Sequence, residues 1–254
     1  MQAPVVIIGV GEMGGVFARG FLRQGHPVHP VTRGHDLGER AARLPEPELV
    51  LVAVAENDLH DVLARMPAAW RDRLVLLQNE LLPQDWRRHG LATPTVISVW
   101  FEKKPGQDVK VLIPSPALGP HAILLHDALA TLDIPVRVLD DEDALLFELV
   151  LKNVYILTTN IAGLVVGGNV GELWSHHREL AREVAAEVIR LQSALTGREL
   201  DADALVAGMV TAFEGDPEHR CMGRSARARL ERALQQARDA GLELEKLEAI
   251  AAGA

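Results

Sequence analysis

A single cysteine, Cys221, stands in a chain of 254 residues, so neither a disulfide framework nor a cysteine-based zinc site can be built. Positive charge is also short: the net charge is −9, and a phosphate-binding nucleic-acid surface needs a basic footprint. Lysine is scarce, with five against 21 arginines, so each lysine can be examined singly. Met1-Gln2-Ala3-Pro4 carries no basic n-region, so no secretory signal is expected and a reducing cytoplasm is the expected compartment. Internal repeats and low-complexity segments are missing too. What is present is 48% apolar and 24% charged residues, enough to bury a core and stay in solution, which excludes disorder. The length suits two modest domains at roughly 150 residues each.

The first half alternates strand and helix signals. Val5-Val6-Ile7-Ile8 is wholly apolar, as expected of a strand buried on both faces of a parallel sheet. A helix carrying Val16, Phe17, Phe21 and Leu22 follows, closed by Gly25. Further strands are expected at 28–32, 49–54, 74–77, 96–101, 109–114 and 136–139, with a helix at 59–66 between them. Repetition at this spacing predicts a doubly wound, Rossmann-like α/β domain over residues 1–139.

From Asp140 onward nothing reads as a strand. Asp140-Asp141-Glu142-Asp143 places acids at a helix start, where the dipole favours them. A long apolar helix runs to about Val166. It contains Glu148, Lys152, Asn153 and Asn160, each costly in lipid, so a buried helix is expected and not a membrane span. Residues 175–195 form an amphipathic pattern with Leu180, Val184, Val188, Leu191 and Leu195 on one face. Asp201 and Asp216-Pro217 read as two more helix starts. Residues 140–254 are therefore expected to be an all-helical domain.

Gly9-Val10-Gly11-Glu12-Met13-Gly14 matches G-x-G-x-x-G, after a strand and before a helix. Gly9 permits the tight turn, Gly11 admits a diphosphate to the backbone, and Gly14 lets helix and strand pack closely. The helix N-terminus then offers free N–H groups to the phosphates. A glycine turn without ligand is the alternative. At the end of the second strand an NAD enzyme usually carries an acid for the ribose hydroxyls. Here Val31-Thr32-Arg33-Gly34 puts a guanidinium there, which suits a 2′-phosphate and favours NADP(H) over NAD(H), unless Arg33 is simply a solvated surface residue.

On the long helix, Lys152, Ile156, Thr159 and Gly163 share one side, with Asn153 and Asn160 beside them. A lysine in so apolar a helix must reach water, an anion or a substrate. Desolvation can bring its pKa towards neutrality, and its ammonium can protonate an oxygen that gains charge. Those are the demands of carbonyl reduction; a snorkelling lysine at a domain boundary is the other reading.

Taken together, the chain resembles the ketopantoate reductases and their 6-phosphogluconate dehydrogenase-like helical domains. The resemblance rests on the glycine loop, Gly25-His26-Pro27-Val28 leading to Thr32-Arg33-Gly34, the run Leu49 to Val54, and Leu77-Gln78-Asn79. It continues through Lys152 with Asn160 eight residues later, and Asn169 to Leu173. It implies an NADPH-dependent reductase of a small 2-oxo acid, 2-dehydropantoate by default, and a homodimer. Lys152 is then the general acid, Asn79 helps place the nicotinamide ribose and substrate, and Asn160 bonds the substrate's hydroxyls. Cys221-Met222 stands where the family has a substrate-binding Ser-Met, which makes Cys221 a candidate substrate contact. The chain departs from the family at Ala55, Glu80 and Ile156, where lysine, glycine and asparagine are usual, and it has no clear match to a later glutamate. A protein that binds NADP(H) without turnover, as a sensor or partner subunit, is the second functional class.

Three other groups of residues stand out in the sequence. Arg220, Arg224 and Arg227 recur at helical spacing, as an anion site or a solvated face. His176 and His177 are adjacent, point apart on a helix and cannot share a metal; no metal is expected. Trp100 and Phe101 close a predicted strand, either lining a pocket or packing in the core.

Overall fold

The computed structural model describes residues 2–253. The chain divides into two compact units, with the boundary between Glu148 and Leu149.

The first unit is built on a seven-stranded sheet. In chain order its strands are β1 (Val5–Ile8), β2 (Val28–Val31), β3 (Val50–Val52), β4 (Leu74–Leu76), β5 (Thr95–Ile97), β8 (Ser115–Leu118) and β9 (Val136–Val138), with β6 (Phe101–Glu102) and β7 (Lys110–Val111) set apart as a hairpin. The sheet order is β2-β1-β3-β4-β5-β8-β9. The first five strands are mutually parallel; β8 pairs with β5 antiparallel, and β9 follows β8 in parallel. The helices are α1 (Glu12–Arg23), α2 (Leu37–Arg43), α3 (Leu59–Ala64), α4 (Pro83–Arg87) and α5 (Ala122–Ala130). Strands β1, β3 and β4 are buried throughout, as continuous apolar runs in a covered parallel sheet must be. Phe17 and Phe21 of α1 complete that core with no exposed surface.

The expected strand at 109–114 is corrected. Only Lys110 and Val111 are extended, and they pair with Phe101 and Glu102 outside the main sheet. The sheet strand comes next, at Ser115–Leu118. Its proline hides it: Pro116 accepts a bond from the Ser98 amide but has no N–H to return one.

The second unit continues α6 (Glu142–Val166) and adds α7 (Val170–His176), α8 (Arg178–Thr196), α9 (Ala202–Gly215), α10 (Ala226–Asp239) and α11 (Glu245–Gly253). The unit boundary thus falls inside α6, nine residues later than the expected break at 139/140, because the helix's opening turns belong with the sheet. There Glu148 is buried and takes a hydrogen bond from Arg137. α6 is long and apolar enough to span a membrane by composition, but most of that stretch is buried inside the protein.

The expected 175–195 helix is two helices broken at His177. Asn169 opens the first with a capping box: its side chain takes the Glu172 amide while the Glu172 carboxylate takes the Asn169 amide. Asp201 caps α9 as expected, bonding the Ala204 amide. Asp216-Pro217 does not start a helix. Asp216 closes α9, and residues 217–221 run as a strap along α7, with the Val170 and Gly171 amides bonded to the carbonyls of His219 and Pro217. The arginine stripe dissolves with it: Arg220 lies in the strap, Arg224 in a turn, and only Arg227 on α10.

Candidate functional site

The glycine loop leaves β1 and enters α1. Gly9 has φ +91°, and a Cβ there would lie 2.6 Å from the Ala53 carbonyl oxygen, so only glycine makes this turn. A Cβ at Gly14 would lie 2.1 Å from the Gly9 oxygen, which fixes how closely α1 sits on the loop. Gly11 differs: it has ordinary backbone angles, and nothing lies within 4 Å of where its Cβ would be. Gly11 is the N-cap of α1, and no side chain caps it, so the first amides of the helix face outward unspent. Met13 is half-buried against the sheet core, whereas Glu12 is exposed at the first helical position.

Gly9 and Gly11 line a cavity of about 500 Å³ with Thr32, Arg33, Ala55 and Asp58. That volume, over an open glycine and a free helix N-terminus, fits a dinucleotide. Arg33 lies at its rim, 95% exposed, with its guanidinium 3.3 Å from the Asp58 carboxylate. The sequence reading missed Asp58, which comes from the short 3-10 turn after β3 and has no motif to announce it.

Asn79 follows β4 and is half-buried. Its amide donates to the Glu56 carboxylate at 3.0 Å. Gln78 beside it is buried and donates to the carbonyls of Val52 and Val54, tying the ends of β3 and β4 together. Glu80 adopts φ +60°, a left-handed conformation that an L-residue enters at a cost.

In the second unit the α6 stripe is only partly available. Lys152 is half-buried, and its Nζ lies 5.6 Å from the centre of the Tyr155 ring. Burial, with help from the Arg229 guanidinium, lowers its pKa from the usual lysine range to about 7. Asn160 is buried and committed: its amide donates to the Ile156 carbonyl at 2.8 Å, and its oxygen accepts the Gly223 amide at 3.2 Å. Asn153 donates to the buried Gln192, and the Thr159 hydroxyl bonds the Tyr155 carbonyl, so both face inward. Cys221 has no exposed surface and packs against Gly163, and burial pushes its thiol up to about 11. Cys221, the candidate substrate contact, thus has its side chain packed beside α6.

The structure thus brings Gly9, Gly11 and Arg33 to one cavity, and Lys152 and Asn160 to one helix. Trp100 is fully buried and Phe101 packs on Phe17 at 6.1 Å, so both are core residues. Arg229 has no signal in the sequence, because it acts on Lys152 from another helix, α10. Among the described residues no cluster of His, Cys, Asp and Glu suits a metal.

No protein-family model and no curated protein matches the sequence. Solved structures do match. The chain is similar to 2-dehydropantoate 2-reductase from Methylococcus capsulatus (15% identity, TM-score 0.70, 98% of this chain and 94% of that one). It is similar to a dimeric ketopantoate reductase from Staphylococcus aureus (15%, 0.65, 98% and 96%). It is similar as well to D-mandelate dehydrogenase in complex with NADH (13%, 0.68, 98% and 96%). The chain therefore has the ketopantoate reductase fold along nearly its whole length, at identities that establish fold alone.

Proposed function

We propose that the protein is an NADPH-dependent reductase of a small 2-oxo acid, with 2-dehydropantoate the default substrate. The observation that carries this reading is Lys152, an ammonium held near neutrality on α6 in a chain whose other unit carries a dinucleotide-sized glycine-loop cavity. Its solved neighbours, ketopantoate reductases and a mandelate dehydrogenase, support the same chemistry.

In this reading Gly11 and the α1 N-terminus hold the diphosphate, and Arg33 exchanges Asp58 for the 2′-phosphate. Asn79, kept in place by Glu56, orients the ribose and substrate. A bound reduced nicotinamide supplies the hydride. Lys152 has two tasks: to steady the charge that grows on the carbonyl oxygen, then to give that oxygen the Nζ proton. The neutral amine regains its proton from water. A pKa of about 7 suits a group that must hold a proton and release it at cytoplasmic pH. The cytoplasm is the proposed compartment, and a homodimer the proposed assembly, as in the dimeric neighbour.

A second reading, NADP(H) binding without turnover, draws on the commitment of Asn160 to Gly223 and the burial of Cys221, which take two polar groups from the substrate. Single-turnover oxidation of NADPH against a panel of 2-oxo acids separates the two. Lys152→Ala is expected to slow reduction by about 10²–10⁴ while cofactor affinity holds. Full rate in the variant removes Lys152 from catalysis; no turnover by the wild type on any carbonyl favours the binding protein.

A further inference from the structure

The hairpin of β6 and β7 does more than decorate the sheet. Phe101, in β6, packs on Phe17 in the middle of α1 at 6.1 Å between ring centres. Two residues on, Lys103 reaches the start of the same helix, with Nζ 3.3 Å from the Glu12 carboxylate. Its side chain is only 16% exposed, deep for a lysine. Nζ also donates to the Lys104 carbonyl at 2.9 Å. An ammonium has three N–H groups, so one is left over.

Glu12 is the residue directly after Gly11. Its charge is favourable at a helix N-terminus, but it is also an anion beside the place where a diphosphate would bind. Alone it would repel such a ligand. Paired with Lys103, its charge is balanced, and the pair holds an ammonium within 3.3 Å of the side chain that follows Gly11.

We propose that Lys103 grips the diphosphate of the dinucleotide, and that Glu12 is a built-in competitor occupying Lys103 in the free protein. This rests on the glycine-loop cavity being a dinucleotide site. When the ligand arrives, its diphosphate takes over the bond that Glu12 gives up, and the Glu12 carboxylate turns to water, to which it is already 44% exposed. The exchange makes affinity a difference between two anions for one cation. The protein therefore binds its cofactor less tightly than the cradle would allow, and releases it more readily.

The sign of the Glu12 effect tests this. NADPH is titrated by fluorescence into wild type, Lys103→Met, Lys103→Arg, Glu12→Gln and the double variant. Lys103→Met is expected to weaken binding about tenfold to a hundredfold, the weight of a charge-assisted contact, and Lys103→Arg to restore most of it. Glu12→Gln is expected to tighten binding, about threefold to tenfold, and the double variant to bind better than Lys103→Met alone. 2′-AMP, which has the 2′-phosphate but no diphosphate, is expected to bind wild type and Lys103→Met alike. If Glu12→Gln weakens NADPH binding, the pair is only a pin for the hairpin and the proposal is overturned. It is equally overturned if Lys103→Met weakens 2′-AMP as much as NADPH. If the wild type binds neither ligand, the dinucleotide reading of the cavity has itself failed.

Discussion

Replacing Lys152 with methionine is expected to make the protein more stable and inactive at once. Methionine keeps the apolar stem and roughly the volume of the lysine while removing the ammonium. The cost of that ammonium follows from its pKa. In the unfolded chain it titrates near 10.5, and in the folded protein near 7. The difference is about 3.5 units, and at about 1.4 kcal/mol per unit the ceiling is roughly 4–5 kcal/mol at neutral pH. Lys152 is half-buried, so water screens part of this, and roughly 1–3 kcal/mol is the expected gain. In a chain of this size each kcal/mol moves the melting temperature by about 2–4 °C, so a rise of about 2–12 °C is expected at pH 7. The sign of the pH dependence is fixed. The folded protein holds fewer protons than the unfolded chain between pH 7 and 10.5, so wild-type stability from this group rises with pH. The advantage of Lys152→Met should therefore be full below about pH 7 and shrink towards zero near pH 10. Thermal unfolding of both forms, followed by circular dichroism across that range, reads it directly. A variant that melts lower than wild type at pH 7, or a gap that does not change with pH, would refute the argument.

Reduction should slow as pH rises above about 7, because only protonated Lys152 can donate; a flat profile of single-turnover rate to pH 9 would exclude it as the acid. Arg33→Ala should cost about tenfold to a hundredfold in NADPH affinity and little in NADH affinity, read by titration of both cofactors; equal affinities in the wild type would end the case for a 2′-phosphate site. Gly11→Ala should melt like wild type yet bind cofactor poorly, since its Cβ meets nothing in the protein, whereas Gly14→Ala should fail to fold; the two are compared by melting temperature and NADPH titration. His60 and His89 are stacked at 5.3 Å, and both have pKa values lowered first by burial and then by Arg88. Their contribution to stability is complete above pH 6.5 and is lost as pH falls through that value, so replacing both with glutamine should flatten the acid limb of a melting-temperature profile.

The sheet and the glycine loop were legible because their signals are local. Four apolar residues followed by three spaced glycines admit few backbones, and β1, the loop and α1 fall where those residues put them. Where meaning depended on distant chain, the reading missed. Pro116 argues against a strand until Ser98 is known to lie beside it. Asp216-Pro217 has the chemistry of a helix start, but the His219 amide bonds the Asp216 carbonyl in a turn and the Gly171 amide donates to the Pro217 carbonyl, so no helix grows there. The break at His177 carries neither glycine nor proline. Asn160 reads as a free polar group on α6 because its partner, Gly223, lies 63 residues away. Lys152 was legible for a different reason: one lysine in a run of so many apolar residues is conspicuous wherever the helix packs.

That α6 runs unbroken through the boundary between units bears on how the chain can be dissected. Twenty-five helical residues replace the polar, glycine-rich linker at which domains are commonly separated. A protease finds no exposed extended segment at 148/149, so mild digestion should spare that point. Expressing residues 1–139 alone would remove Glu148 and leave Arg137 without its carboxylate, while the complementary piece would carry Glu148 without its cation. A clean first fragment would have to carry α6 past Glu148, and the second would then start in mid-helix without a cap. The two units share one unbroken helix and cannot be cut apart cleanly as polypeptides.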